Sequence, residues 1–128
     1  MGRNSEIVSA FIAAWSERNV DKIMGFFTDD AVYANVPIEP ENRGKEAIRK
    51  AIDGFASMAG AIEFVVHQQA ETPQGAVLNE RTDRFKLGEK WIELPVMGAF
   101  ELRGGKISAW RDYFDLQMWM KQMPPPAR

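Results

Sequence analysis

The chain has 128 residues, 45% of them hydrophobic, which fits one domain over 1–128 that buries roughly two-thirds of the surface its unfolded form exposes. Sixteen Lys and Arg against eighteen Asp and Glu leave a net charge of −2 without any basic stripe, so neither nucleic acid nor an anionic membrane is expected as a partner, whereas a small neutral ligand is. There is no cysteine, no basic-then-apolar leader and no apolar run near the ~18 residues of a membrane span, which excludes disulfides and makes a cytoplasmic location the default.

Asn4, Ser5 and Glu6 form a helix start, and Ile7, Val8, Phe11, Ile12 and Trp15 then recur at helical spacing, predicting a first helix that ends near Arg18 and Asn19. A short helix over 21–27 follows, broken by Thr28-Asp29-Asp30. Residues 31–36 read as a short strand stopped by Pro37, and 38–44 as a loop. A third helix over 45–57 carries Ala47, Ile48, Ala51, Ile52 and Phe55 on one side.

From Ile62 the period changes to two, and successive strands are separated by Thr72-Pro73-Gln74-Gly75, Leu87-Gly88-Glu89-Lys90 and Arg103-Gly104-Gly105-Lys106. Helices, one short strand and then a four-strand antiparallel meander predict an α+β domain whose curved sheet wraps the N-terminal helices. Where those helices cover the concave face incompletely, a deep apolar pocket is expected. Residues 116–123 predict a C-terminal helix that closes the pocket, supports a dimer or packs into the core, and 124–128, with three prolines, predict a flexible tail.

The stretch Asn79-Glu80-Arg81-Thr82-Asp83-Arg84-Phe85 departs from simple patterning. Alternation puts Asn79, Arg81 and Asp83 on the face that Val77, Phe85 and Leu87 mark as internal, while Glu80, Thr82, Arg84 and Lys86 face solvent. An inward cation beside a carboxyl group is costly unless it is paired or used. With no Cys and a single His, His67, on a polar strand face with Glu63 and Gln69, a thiol nucleophile is impossible and a His-rich metal site is not expected. Phosphate-binding and nucleophile-elbow motifs are also missing from the sequence. Carboxylate chemistry remains.

Trp110, Asp112 and Phe114 share a strand face, so Asp112 lies between two aromatics, a setting that raises a carboxyl pKa through desolvation. Arg81 and Asp83, two apart on one strand, lie about 7 Å apart at Cα, and a neighbouring strand would bring Asp112 to the other side of Arg81. One guanidinium can bond both carboxylates. The surplus negative charge then makes one acid hold its proton, giving one acid and one base, with their assignment open. Tyr33 and Asn35, on one face of the short strand, offer neutral groups able to hold water. This set suits a substrate that water attacks while an oxygen leaves, such as a strained cyclic ether. A structural ion-pair network is the plainer reading of the same residues.

Tyr33-x-Asn35, Arg81-x-Asp83 and Asp112 within Trp110-Arg111-Asp112-Tyr113-Phe114-Asp115, in that order, resemble the limonene-1,2-epoxide hydrolase family over nearly the whole chain. The resemblance implies the cone of the nuclear transport factor 2-like (NTF2-like, SnoaL-like) superfamily, a homodimer and cofactor-free, one-step addition of water to a small hydrophobic epoxide, terpene-like or cyclic, giving a vicinal diol. It further implies Asp112 as general base, Asp83 as general acid, Arg81 as the bridge between them, and Tyr33 and Asn35 as the water-positioning pair. Phe85, Phe114, Val96 and Met97 are expected to line the substrate pocket, with Phe27 or Phe55 as further candidates. The chain starts later than the family's founding members do, which predicts a more open pocket. The alternatives are a ketosteroid-isomerase-like or polyketide-cyclase-like enzyme, whose proton transfers at carbon need no arginine-bridged acids with a water holder, and a non-catalytic binding or dimerisation module. Asn79 has no part in the implied mechanism; a supporting hydrogen bond near the end of the pocket is expected of it.

Overall fold

The computed structural model describes residues 2–123, so the tail expected at 124–128 lies outside the described residues. Helix α1 (Arg3–Ala14) buries Val8, Phe11 and Ile12 and runs into a single 3-10 turn, Trp15–Glu17, which closes on Arg18 at a φ of 52°. Asn19 caps α2 (Val20–Met24), its Oδ1 accepting a hydrogen bond from Lys22 N at 3.2 Å.

That helix stops before the expected end at Phe27. Ile107 N donates to Phe26 O at 2.8 Å and Phe27 pairs with Ile107, so strand β1 (Phe27–Asn35) absorbs both Phe27 and the segment Thr28-Asp29-Asp30 expected as a break. Pairing with a distant strand outweighs the local pattern here. Within the expected loop, β2 (Asn42–Arg43) pairs with Tyr33 and Val32, and α3 (Gly44–Met58) follows with Ile48 and Ile52 buried.

The meander forms as its turn residues indicate, with antiparallel β3 (Ala61–Glu71), β4 (Val77–Leu87), β5 (Lys90–Arg103) and β6 (Lys106–Tyr113). β1 joins β6 in parallel, which completes a curved, open six-stranded sheet in the order β2-β1-β6-β5-β4-β3. The helices pack on the inner face. Phe11 lies at the centre of the core, meeting Trp15, Phe27, Phe100 and Trp110 edge-on with ring centroids 5.0 to 6.1 Å apart. Burying such a ring contributes roughly 1.5–3 kcal/mol, before the gain from edge-to-face geometry.

One shift of register differs from simple alternation. A bulge between Val66 and Gln68 inserts a residue into β3, so Gln69, expected on the polar face with His67, pairs with Asn79 and turns inward. His67 stays exposed, one ring nitrogen 2.7 Å from Thr82 Oγ1. The C-terminal helix α4 (Leu116–Gln122) is capped by Asp115 and buries no residue fully, while its half-buried Trp119 packs against the core. It lies over one end of the sheet, where its Trp119 packs on Phe85 with centroids 5.1 Å apart. Among the described residues no helix is long and apolar enough to cross a membrane.

Candidate active site

Strict alternation along β4 turns Asn79, Arg81 and Asp83 inward, where they are 1%, 1% and 7% exposed. Register then aligns Asn79 of β4, Gly98 of β5, Asp112 of β6 and Asn35 of β1 in one row across the sheet. Tyr33 and Trp110 belong to the next row. Residues scattered over eighty positions of sequence are thereby gathered by strand pairing alone.

Arg81 is the hub. Its Nε and Nη2 donate to Asp83 Oδ1 and Oδ2, each at 2.9 Å, and Nη2 also donates to Asp112 Oδ2 at 2.8 Å. Nη1 donates to Asn79 Oδ1 at 2.9 Å, and the guanidinium carbon lies 5.7 Å from the centre of the Phe64 ring. Asp112 does not stand on the strand next to Arg81, as the sequence suggested, but two strands away with β5 between them. Gly98 makes that reach possible. A Cβ there would overlap Arg81 Nη1 and stand 2.8 Å from Asn79 Oδ1 and 3.0 Å from Asp112 Oδ1.

The remaining oxygen of Asp112, Oδ1, accepts from Trp110 Nε1 at 2.6 Å. Trp110 is clamped in turn between Tyr33, stacked at 4.2 Å, and Phe100 at 5.7 Å. The Tyr33 hydroxyl donates to Asn35 Oδ1 at 3.2 Å, which leaves the Asn35 amide nitrogen and the Tyr33 oxygen open toward the pocket.

Burial pushes the Asp112 carboxyl up to about 6, with the neighbouring Asp83 adding to the effect and Arg81 opposing it. Burial would lower the Arg81 guanidinium, but Asp112 and Asp83 outweigh it and the group stays charged. The Tyr33 hydroxyl is raised by burial and by Asp112, so it remains a neutral donor and acceptor. Among the described residues no group of three His, Cys, Asp or Glu side chains could hold a metal.

Tyr33, Asn35, Asp83 and Asp112 face a cavity of about 190 Å³ whose other walls are mainly apolar, including Trp15, Phe55, Phe64, Leu94, Trp110 and Trp119. Phe85, Phe114 and Val96 line it; Met97 does not. Neighbours on a strand point to opposite faces, so once Val96 faces inward Met97 lies on the outer face, 48% exposed. Phe55 lines the cavity and Phe27 lies in the core instead. Sequence reasoning also missed Gly98 and the hydrogen-bonding role of Trp110. A Gly inside a strand, Met97-Gly98-Ala99, was the available signal for the first.

Fold and site together define a protein of NTF2-like fold whose pocket is lined by an arginine-bridged pair of acids. Residues 2–125 match the limonene-1,2-epoxide hydrolase catalytic domain, and the chain belongs to that family; it is an epoxide hydrolase. It is 34% identical over 110 residues, 85% of this chain and 71% of the relative, to the epoxide hydrolase EphG of Mycobacterium tuberculosis. A solved structure of a limonene-epoxide-hydrolase-like epoxide hydrolase from M. tuberculosis superposes with a TM-score of 0.78 at 31% identity, covering 94% of this chain and 88% of that one. An NTF2-like protein from Burkholderia pseudomallei superposes with a TM-score of 0.84 at 12% identity over 98% and 100% of the two chains, a likeness of fold alone.

Proposed function

We propose that the pocket takes a small, hydrophobic, terpene-like or cyclic epoxide and adds water to it in one step, giving a vicinal diol without a covalent intermediate or a cofactor. The observation that carries this reading is the pairing of two buried carboxyls with one guanidinium, Asp83 through two hydrogen bonds and Asp112 through one. Two carboxylates against one cation leave a surplus negative charge, which favours retention of one proton. The resemblance to the family assigns the role of general acid to Asp83.

Asp112, held near 6 by burial, is mostly ionised at neutral pH and still basic enough to accept a proton from water. Tyr33 and Asn35 hold that water. As its oxygen attacks a ring carbon, its proton passes to Asp112; the C–O bond opens and the departing oxygen takes the proton from Asp83. Return of a proton from Asp112 to Asp83 closes the cycle, so water is the only co-reactant. Acid and base each contribute on the order of a hundred- to ten-thousand-fold.

The experiment is single-turnover hydrolysis of a panel of cyclic and aryl-substituted epoxides in oxygen-18 water. Label in the first-turnover diol is the expected result, and label found in the protein instead overturns direct attack. Asp83→Asn and Asp112→Asn are expected to fold and to lose nearly all turnover. A homodimer is the family expectation for this chain. Leu78, Met97 and Tyr113, exposed on the outer sheet face, support that arrangement, and sedimentation of the intact protein tests it.

A further inference from the structure

Asn79 and Gln69 take no part in the reaction as described, yet they form a continuous hydrogen-bonded chain from its centre to helix α1. Arg81 Nη1 donates to Asn79 Oδ1 at 2.9 Å, Asn79 Nδ2 donates to Gln69 Oε1 at 3.1 Å, and Gln69 Nε2 donates to Ser5 O at 3.0 Å. The same Gln69 nitrogen lies 2.8 Å from Ser5 Oγ and 2.9 Å from Ser9 Oγ. The bulge in β3 is what turns Gln69 inward to complete the chain.

The direction of each bond is forced from both ends. A guanidinium can only donate, so Asn79 must turn its oxygen to Arg81. A backbone carbonyl can only accept, so Gln69 must turn its nitrogen to Ser5. Between these fixed ends the Asn79 nitrogen meets the Gln69 oxygen, and reversing either amide sets donor against donor. Asn79 is 1% exposed, so the cost of a reversed amide is not relieved by water.

The chemistry of Asn79 also matters. Its amide oxygen takes Arg81 Nη1, the guanidinium nitrogen that neither acid bonds, and it does so without a third negative charge. The titratable and charged groups around it are Arg81, Asp83, Asp112 and Tyr33, with Glu71 at the far end, where it accepts from Ser5 N at 2.8 Å. Without this anchor Arg81 keeps only its bonds to the two acids, and its buried Nη1 loses the partner that fixes the third corner of the guanidinium.

We propose that Asn79, oriented by Gln69 of β3, which is itself anchored to helix α1, is a positioning residue that holds Arg81 in the orientation that reaches both acids. The proposal rests on the reading of Asp83 and Asp112 as the acid and base of hydrolysis. Neither Asn79 nor Gln69 lines the pocket, so both should act on kcat and leave KM nearly unchanged.

The test compares Asn79→Ala, Asn79→Asp and Gln69→Leu with the wild-type protein on an epoxide that the wild type hydrolyses. Misplacing a catalytic group by about 1 Å costs on the order of a hundredfold, so Asn79→Ala and Gln69→Leu are expected to lower kcat roughly ten- to a hundredfold with KM within about threefold. Asn79→Asp keeps the acceptor for Arg81 and adds a charge. It should retain more of kcat than Asn79→Ala while moving the acid limb of the pH profile upward by about one unit. Titration of the Asp carboxyls followed by carbon-13 NMR must show the same upward movement for Asp112, and it needs no turnover. Folded Asn79→Ala with wild-type kcat, or an unmoved Asp112 midpoint in Asn79→Asp, overturns the proposal. Wild-type protein that hydrolyses no epoxide, or full activity in Asp112→Asn, instead overturns the acid–base reading, and the NMR titration still decides the role of Asn79. If Asn79→Ala does not fold, Asn79→Asp and Gln69→Leu carry the test.

Discussion

Arg81 and Asp112 are joined by a 2.8 Å hydrogen bond although they lie on strands separated by a third. The side chain of Arg81 crosses β5 through the space that Gly98 leaves, and that residue shares a row with Asn79 and Asp112. Its backbone is not in the left-handed region, so alanine meets no conformational obstacle and acts by volume alone. Gly98→Ala is therefore expected to push Arg81 off Asp112 and to lower kcat/KM about a hundredfold, since the lost contact is the one that holds the proposed base in place. Ala99→Val, one residue along and facing outward, is the control and should leave kcat/KM within about twofold. Steady-state kinetics on both variants, with circular dichroism to confirm folding, provide the check.

Removing the bridge has the larger effect on stability. Arg81→Met fills much of the same volume but leaves Asp83 and Asp112 facing each other without a cation. Breaking a buried pair in this way costs about 3–5 kcal/mol at neutral pH. At pH ~4 the carboxyls can take protons and the deficit should shrink. Urea unfolding of wild type and variant at both values measures this, and a deficit that grows on acidification contradicts the argument.

Asp112 also makes its own contribution to the pH dependence of stability. Its folded carboxyl is raised from 3.8 to about 6, so the folded state binds the proton more tightly than the unfolded chain does. The sign follows: the contribution is fully present below pH ~4 and is lost as pH rises toward 6, a change of about 3 kcal/mol for a shift of this size. Asp112→Asn does not titrate. Its stability relative to wild type should rise between pH 4 and 6 and level off above, which chemical denaturation across that range would show. Over the same window wild-type kcat/KM should climb as the base ionises.

The parts of this site that sequence revealed are those set by covalent geometry. Alternation along a strand is fixed at two residues, so Arg81 and Asp83 could be placed inward, and Trp110 with Asp112, before any contact was known. The parts that stayed hidden depend on which strands lie side by side. Nothing near Asp112 says that β5 separates it from Arg81, and nothing near Phe27 says that Ile107 will draw it out of a helix and into β1. Gln69 was misplaced because a bulge changes the alternation without a marker residue at the bulge. Val96 and Met97 could not both face the pocket, a conflict that alternation alone settles once Arg81 is paired with Val96. Asp83 and Asp112 look alike in sequence, and only their surroundings differ: Asp83 takes two Arg81 bonds, and Asp112 takes one together with the Trp110 indole.

The last relationship concerns access to the pocket. Strand β6 pairs with β5 only from Met97 onward, which leaves the backbone of Glu93 without a strand partner on that side. The Gln122 side chain supplies one: its amide nitrogen donates to Glu93 O at 2.8 Å and its oxygen accepts from Glu93 N at 3.1 Å. Lys90 Nζ adds a bond to Gln122 O at 2.8 Å. Because these bonds hold α4, they also hold Trp119 against Phe85 and Phe114 on the pocket wall. Gln122→Ala removes both bonds to Glu93 at a cost of about 1–2 kcal/mol, as their exposure to water limits the loss. With α4 loosened, the wall that grips an apolar substrate is less ordered, while Asp83 and Asp112 are untouched. KM should therefore rise about five- to tenfold with kcat within about twofold, and Trp119→Ala should reproduce the rise by removing part of the wall itself. A fall in kcat at constant KM in either variant would mean that α4 acts on the chemical step and not on substrate binding.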